Sequence, residues 1–129
     1  MKRGLQIIIG MLSLIPFMVA ILGQTSGLGR WLPAEAITPE FDSHYRYITG
    51  FYISLGVIAW WIIPNIEKHK TALRIVAGAI FAGGVGHVIS FWQVGAPGPL
   101  TLVFTGIELC FPLLLIWQAK LPRRQSKTG

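Results

Sequence analysis

Charged side chains are scarce. Asp, Glu, Lys and Arg make up 12% of the 129 residues, about half of the roughly 25% a soluble domain carries. Carboxylates are scarcer still, five against eleven Lys and Arg. That deficit leaves too little polar surface for a water-soluble globule and points to a membrane. Cysteine occurs once, at Cys110, so no internal disulfide can form, and without a C-x-x-C pair the chain has no thiol redox motif. Cys110 lies inside an apolar block and reads as a small, buried core residue. A nucleophile–base set, a phosphate-cradling loop and a redox pair are all missing. No catalytic residue, cofactor or metal site is therefore assigned, and no enzymatic activity is expected. Internal repeats and low-complexity tracts are absent too.

Apolar residues are what the chain has, at 53%. They fall into four blocks, Gly4–Gly23, Tyr45–Ile63, Ala72–Trp92 and Pro99–Trp117. Each is close to the ~20 residues a helix needs to cross a hydrocarbon core. The pattern predicts an all-α membrane protein, a four-transmembrane-helix antiparallel bundle in one domain. Its helices run over about residues 4–23, 39–63, 72–92 and 99–118, followed by a basic tail at 119–129. Pro16 should kink the first helix without preventing a span. The apolar run of that helix is longer than a signal peptide's, and no A-x-A-like site follows, so it reads as retained. Thr38 suits an N-cap, Pro39 a first turn, and Glu40 and Asp42 the positive end of the helix dipole. The second helix thus projects beyond the outer interface. No broken-helix pair is evident. In the third block Gly78/Ala82/Gly86 and Ala79/Gly83 recur at a spacing of four, as do Gly50 and Ser54 in the second. Such spacing lets helices approach closely in lipid.

The net charge of +6 follows topology rather than a nucleic-acid partner. Lys2 and Arg3 precede the first block, Lys68, Lys70 and Arg74 surround the second gap, and Lys120, Arg123, Arg124 and Lys127 follow the last. Positive residues stay cytoplasmic, which predicts an N-in/C-in protein whose basic tail touches anionic lipid. Trp31 and Trp92 then mark the outer interface, and Trp60, Trp61 and Trp117 the inner one.

Two ionisable residues, His87 and Glu108, interrupt otherwise apolar spans. A charged side chain at the centre of a membrane helix costs roughly 3 kcal/mol even on insertion-based scales. His87 lies five residues before Trp92, about 7–8 Å below the outer border, and Glu108 nine residues after Pro99, about 13–14 Å below it. Side chains lean toward a helix's N-terminus, so on antiparallel helices these two lean toward each other, with the long stem of Arg46 in reach. One reading is a polar site in the outer half of the bundle formed by Arg46, His87 and Glu108. Tyr45, Tyr52 and Trp92 would line its walls, and Asp42 and His44 its entrance. The other is an internal ion pair that fixes helix register, with Asp42 and Arg46 an ordinary i,i+4 surface pair. Axial haem ligation by His44 and His87 lacks an attachment motif. Zinc at His44, His87 and Glu108 needs the entrance to fold inward.

The runs H-Y-R-Y-I-T-G-F-Y (His44–Tyr52), A-G-G-V-G-H (Ala82–His87) and I-E-L-C-F-P-L-L-L-I-W-Q (Ile107–Gln118) resemble a family of small bacterial membrane proteins described only as a domain of unknown function, family 4345. The resemblance covers about Leu5 to Lys120 and includes Tyr45, Arg46, His87 and Glu108. The family often has arginine at the position of His87, so a role needing a permanent cation does not carry over. More loosely, the layout resembles DoxX-like proteins, which implies a membrane redox partner. The expected location is the bacterial cytoplasmic membrane, with the lipid bilayer, a lipophilic small molecule and a homodimer or redox subunit as candidate partners. The leading expectation is a non-enzymatic binding or accessory module for a quinone or isoprenoid. The alternatives are a proton-coupled small transporter with a Glu108/His87 relay, and a purely structural subunit of a membrane redox complex.

Overall fold

A computed structural model describes residues 1–121, and among them every regular element is helical. The elements are α1 (Lys2–Leu12), α2 (Leu14–Ser26), α3 (Pro39–Ile62), α4 (Lys70–Val94), α5 (Pro99–Cys110) and α6 (Leu113–Ala119), with short 3-10 turns at 27–30, 34–36 and 63–65. Four stretches are long and apolar enough to cross a membrane, Lys2–Arg30, Pro39–Asn65, Lys70–Val94 and Pro99–Ala119. The chain has the make-up of a multi-pass membrane protein. It divides into two compact units, Gln6–Pro64 and Met1–Leu5 with Asn65 onward.

In the Gln6–Pro64 unit, α1 and α2 form one interrupted span. The interruption lies at Ser13, three residues before the expected kink at Pro16. Proline has no N–H for the carbonyl four residues back, and its ring crowds that carbonyl. The carbonyl here is that of Leu12, where α1 ends. Ser13 stitches the break: its hydroxyl donates to the Gly10 carbonyl at 2.7 Å and accepts from Trp60 Nε1 at 2.8 Å. The span returns as α3, capped by Thr38, whose Oγ1 accepts from the Phe41 N–H at 3.2 Å, with Pro39 opening the first turn. Gln6 Nε2 donates to the Ile63 carbonyl at 2.7 Å, and Gln24 Nε2 to the Arg46 carbonyl at 2.6 Å. The start of α1 therefore lies beside the end of α3, and the two legs are antiparallel. Between them a Cβ on Gly56 would come within 2.6 Å of the Phe17 ring, which itself packs 4.8 Å from Trp60. Gly23 presses on Thr49 in the same way. Gly56 and Gly23, with buried Thr49 and Ala59, make the close approach, while Ser54 of the expected Gly50/Ser54 pair is exposed.

In the other unit, α4 returns through Gly95–Gly98 into α5. The helix expected over 99–118 is present as one span, Pro99–Ala119, with a kink at Phe111–Pro112. Pro112 has no N–H for the carbonyl of Glu108, which accepts instead from the Phe111 N–H, three residues on, at 3.3 Å. Neither kink unwinds its span: Ser13, Phe111 and Pro112 keep right-handed helical backbone angles, and Lys2–Arg30 and Pro99–Ala119 each remain one helix long enough to cross a membrane. The buried face of α4 is Leu73, Val76, Ala77 and Gly84, at helical spacing. A Cβ on Gly84 would meet Glu108 Cβ at 3.0 Å and Leu109 at 3.2 Å, whereas one on Gly78, Gly83 or Gly86 would meet nothing within 4 Å. The small-residue face expected to pack is thus exposed, and the packing glycine is Gly84. Cys110, expected in the core, is exposed. Both corrections share one cause: lipid is as apolar as a protein core, so hydropathy does not separate a lipid-facing position from a buried one. The opposite end of this unit is closed by the ion pair of Lys2 with Glu67 at 2.8 Å, by Gly4 against the Trp117 ring, and by Gln118 Nε2 donating to the Ile66 carbonyl at 2.6 Å.

Candidate functional site

The polar residues singled out in the sequence form two clusters, one in each unit. In the Gln6–Pro64 unit the first turns of α3 carry Asp42, His44, Tyr45 and Arg46. Arg46 Nε donates to Asp42 Oδ2 at 2.7 Å, the i,i+4 pair anticipated above, and its guanidinium also donates to the Gln24 carbonyl. Asp42 Oδ1 accepts from the Leu28 N–H at 2.9 Å. One carboxylate and one guanidinium thereby tie down the backbone that leaves α2, where carbonyls run out of intrahelical donors. Gln24 answers by donating to the Arg46 carbonyl and, at 3.3 Å, to Thr49 Oγ1. Gly27 lies under this knot with φ at +54°, and a Cβ there would run into Asp42 Oδ1 and the Arg46 guanidinium. Only glycine meets both conditions, the left-handed φ and the lack of room. Tyr45 Oη accepts from Trp31 Nε1 at 2.9 Å, and exposed His44 places Nδ1 3.0 Å from the Glu40 carbonyl, to which it donates. Tyr52 is half-buried about two turns beyond Tyr45 along α3.

The second cluster is smaller and less satisfied. His87 Nε2 and Glu108 Oε2 face each other across 3.8 Å, close enough to attract and too far for a hydrogen bond. Glu108 Oε2 is buried and accepts no hydrogen bond. His87 keeps 43% of its side chain accessible against 22% for Glu108, and its ring centroid lies 6.5 Å from that of Phe91. Gly84, one turn before His87 on α4, provides the clearance that brings the Glu108 backbone this close. Trp92 is 88% exposed. The 3.8 Å gap is too narrow for an atom on the line between the two side chains, so an oxygen about 2.8 Å from each would sit to one side of that line and reach the buried Oε2 only with a shift of the carboxylate. The imidazole can donate or accept, and an ionised carboxylate accepts only.

Within its unit the structure brings His87 to Glu108, and within the other it brings Arg46 to Asp42. Among the described residues no three His, Cys, Asp or Glu side chains are grouped to hold a metal ion. Sequence reasoning passed over Gln24, Gly27, Thr49, Gly84 and Pro112. Two of these left a readable trace: a glycine directly after a helix, and a proline four residues beyond the one acid of its span.

Fold and composition define the class, a four-span helical membrane protein with a carboxylate set into its last span. Within that class, the chain belongs to the family described as Domain of unknown function (DUF4345), which matches residues 4–119. Nothing matches it among the curated proteins or among the solved structures.

Proposed function

We propose that this protein is a non-enzymatic membrane module that holds a small lipophilic molecule by an oxygen-bearing head, as in a quinone or an isoprenoid alcohol, at His87 and Glu108. One observation carries the reading: Glu108 Oε2 is buried without a hydrogen-bond partner, 3.8 Å from His87 Nε2. A buried polar atom left unsatisfied calls for an explanation, and a bound head oxygen supplies one: an alcohol hydroxyl donates to the Glu108 carboxylate while accepting from His87, and a quinone carbonyl accepts from His87 and from a protonated Glu108 carboxyl. An apolar tail would lie along the lipid-facing surface of α4 and α5, where Val85, Ile89 and Val103 are exposed. The module acts in the cytoplasmic membrane of a bacterium with both termini inside, as its positive charges direct.

The test is organic extraction of the full chain, purified in mild detergent, followed by mass spectrometry. Wild type should carry one lipophilic species enriched over bulk lipid, and Glu108→Gln should lose it while keeping its melting temperature within a few degrees. Bulk lipid alone in both samples would refute binding. The ionisable pair of His87 and Glu108, set inside membrane spans, supports a second reading, proton-coupled transport. Ionisable residues inside membrane spans often belong to proton relays. That reading predicts pH-driven substrate flux in liposomes that is abolished by Glu108→Gln.

A further inference from the structure

We propose that the basic end of the second unit is a binding surface for the phosphate headgroup of an anionic phospholipid. Three separate segments build it: the start of α1, the turn into α4 and the end of α6. Their convergence is fixed by the Lys2–Glu67 pair at 2.8 Å, by Gln118 Nε2 on the Ile66 carbonyl at 2.6 Å and by Gly4 beside the Trp117 ring. This brings Lys2, Arg3, Lys68, Lys70, Arg74 and Lys120 to one end, with Glu67 as the carboxylate among them.

Lys2 occupies Glu67. None of the other five forms an ion pair with a described carboxylate, and Arg3, Lys68, Arg74 and Lys120 are exposed. The end of α4 found here adds to the field. Its first turn contains no acid, and its N-cap residue, His69, places no side-chain hydrogen bond on the free N–H groups, so the positive end of the helix dipole adds to the cations.

The occupant follows from position. These cations sit where apolar spans end, the depth at which a spanning helix meets headgroups. Long Lys and Arg stems reach a phosphate there while their methylenes stay against acyl chains. An acidic protein or a nucleic acid would have to approach the same end from the aqueous side.

The experiment uses the full chain in a non-ionic detergent. Phosphatidylglycerol and phosphatidylcholine of identical acyl chains are titrated separately, with bound lipid counted by native mass spectrometry. Phosphatidylglycerol should bind at least tenfold more tightly, with an advantage that shrinks as salt is raised. Each cation near an anionic surface is worth about fivefold in affinity, so Lys68→Gln with Lys70→Gln and Arg74→Gln should lose on the order of a hundredfold. Lys68→Arg with Lys70→Arg should retain the affinity, because charge rather than side-chain shape is recognised. Arg30→Gln, a cation of the other unit, should change nothing. Equal affinity for the two lipids would overturn the proposal, as would an equal loss in Arg30→Gln. Displacement of phosphatidylglycerol by equimolar poly-glutamate would also overturn it, by assigning the surface to an acidic protein.

Discussion

Adjacent glycines of α4 offer a matched pair of perturbations. Gly83 and Gly84 sit in the same helix interior, so replacing either by alanine gains the same helix propensity, about 0.8–1 kcal/mol. They differ in what a new methyl group meets. At Gly83 nothing lies within 4 Å, whereas at Gly84 the methyl would sit 3.0 Å from Glu108 Cβ and 3.2 Å from Leu109. The first of those neighbours is anchored directly to the α5 backbone and cannot swing aside. Overpacking of this kind costs about 1–3 kcal/mol. Subtracting the shared propensity gain leaves Gly84→Ala between neutral and about 2 kcal/mol destabilised, and Gly83→Ala stabilised by up to about 1 kcal/mol. The informative quantity is the gap between the two variants, on the order of 1–3 kcal/mol, in which propensity cancels. Thermal unfolding in a fixed detergent, followed by tryptophan fluorescence, reads it directly. Coincident melting curves would show that Gly84 makes no close contact, and the α4–α5 packing that buries Glu108 would be wrong.

The remaining predictions concern topology and the loop knot. Nine of the eleven Lys and Arg residues fall in segments placed inside, so a reporter fused after Gly129 should remain cytoplasmic and one inserted at Gly29 should be exported; an exported C-terminus would reverse the orientation. Gly27→Ala faces a left-handed φ and a collision with Asp42 and Arg46, and should destabilise by more than about 1 kcal/mol. An unchanged melting temperature would mean that the Asp42–Arg46–Gln24 knot does not hold the end of α2.

How much of this was legible beforehand depends on which physical signal each feature rests on. The four spans follow from lengths of apolar sequence, and the Thr38 cap with Pro39 behind it from local turn chemistry, so both could be read directly. The facing of His87 and Glu108 needed only helix direction and the tilt of side chains. The Pro112 kink follows from the same chemistry as the one near Pro16, the missing N–H for the carbonyl four residues back, and is to that extent legible in the sequence. Gly84 was not readable. In a helix with Gly78, Gly83, Gly84 and Gly86, several faces offer small residues at a spacing of four, and lipid does not penalise the wrong one. Cys110 was misplaced for the same reason. The Gln24–Asp42–Arg46 knot links residues 22 apart through backbone carbonyls, which carry no sequence signature.

The proposed site stands or falls on whether His87 and Glu108 act together on one ligand. The direct measurement is a double-mutant cycle, His87→Leu, Glu108→Gln and both, read as affinity for a short-chain quinone analogue by quenching of intrinsic tryptophan fluorescence. If one head oxygen bridges the pair, the second substitution should add little to the first, and the coupling should exceed the ~0.5 kcal/mol scatter of independent sites. Strictly additive losses, or four variants that quench alike, would mean that the pair only fixes helix register and that no ligand is held between these two side chains.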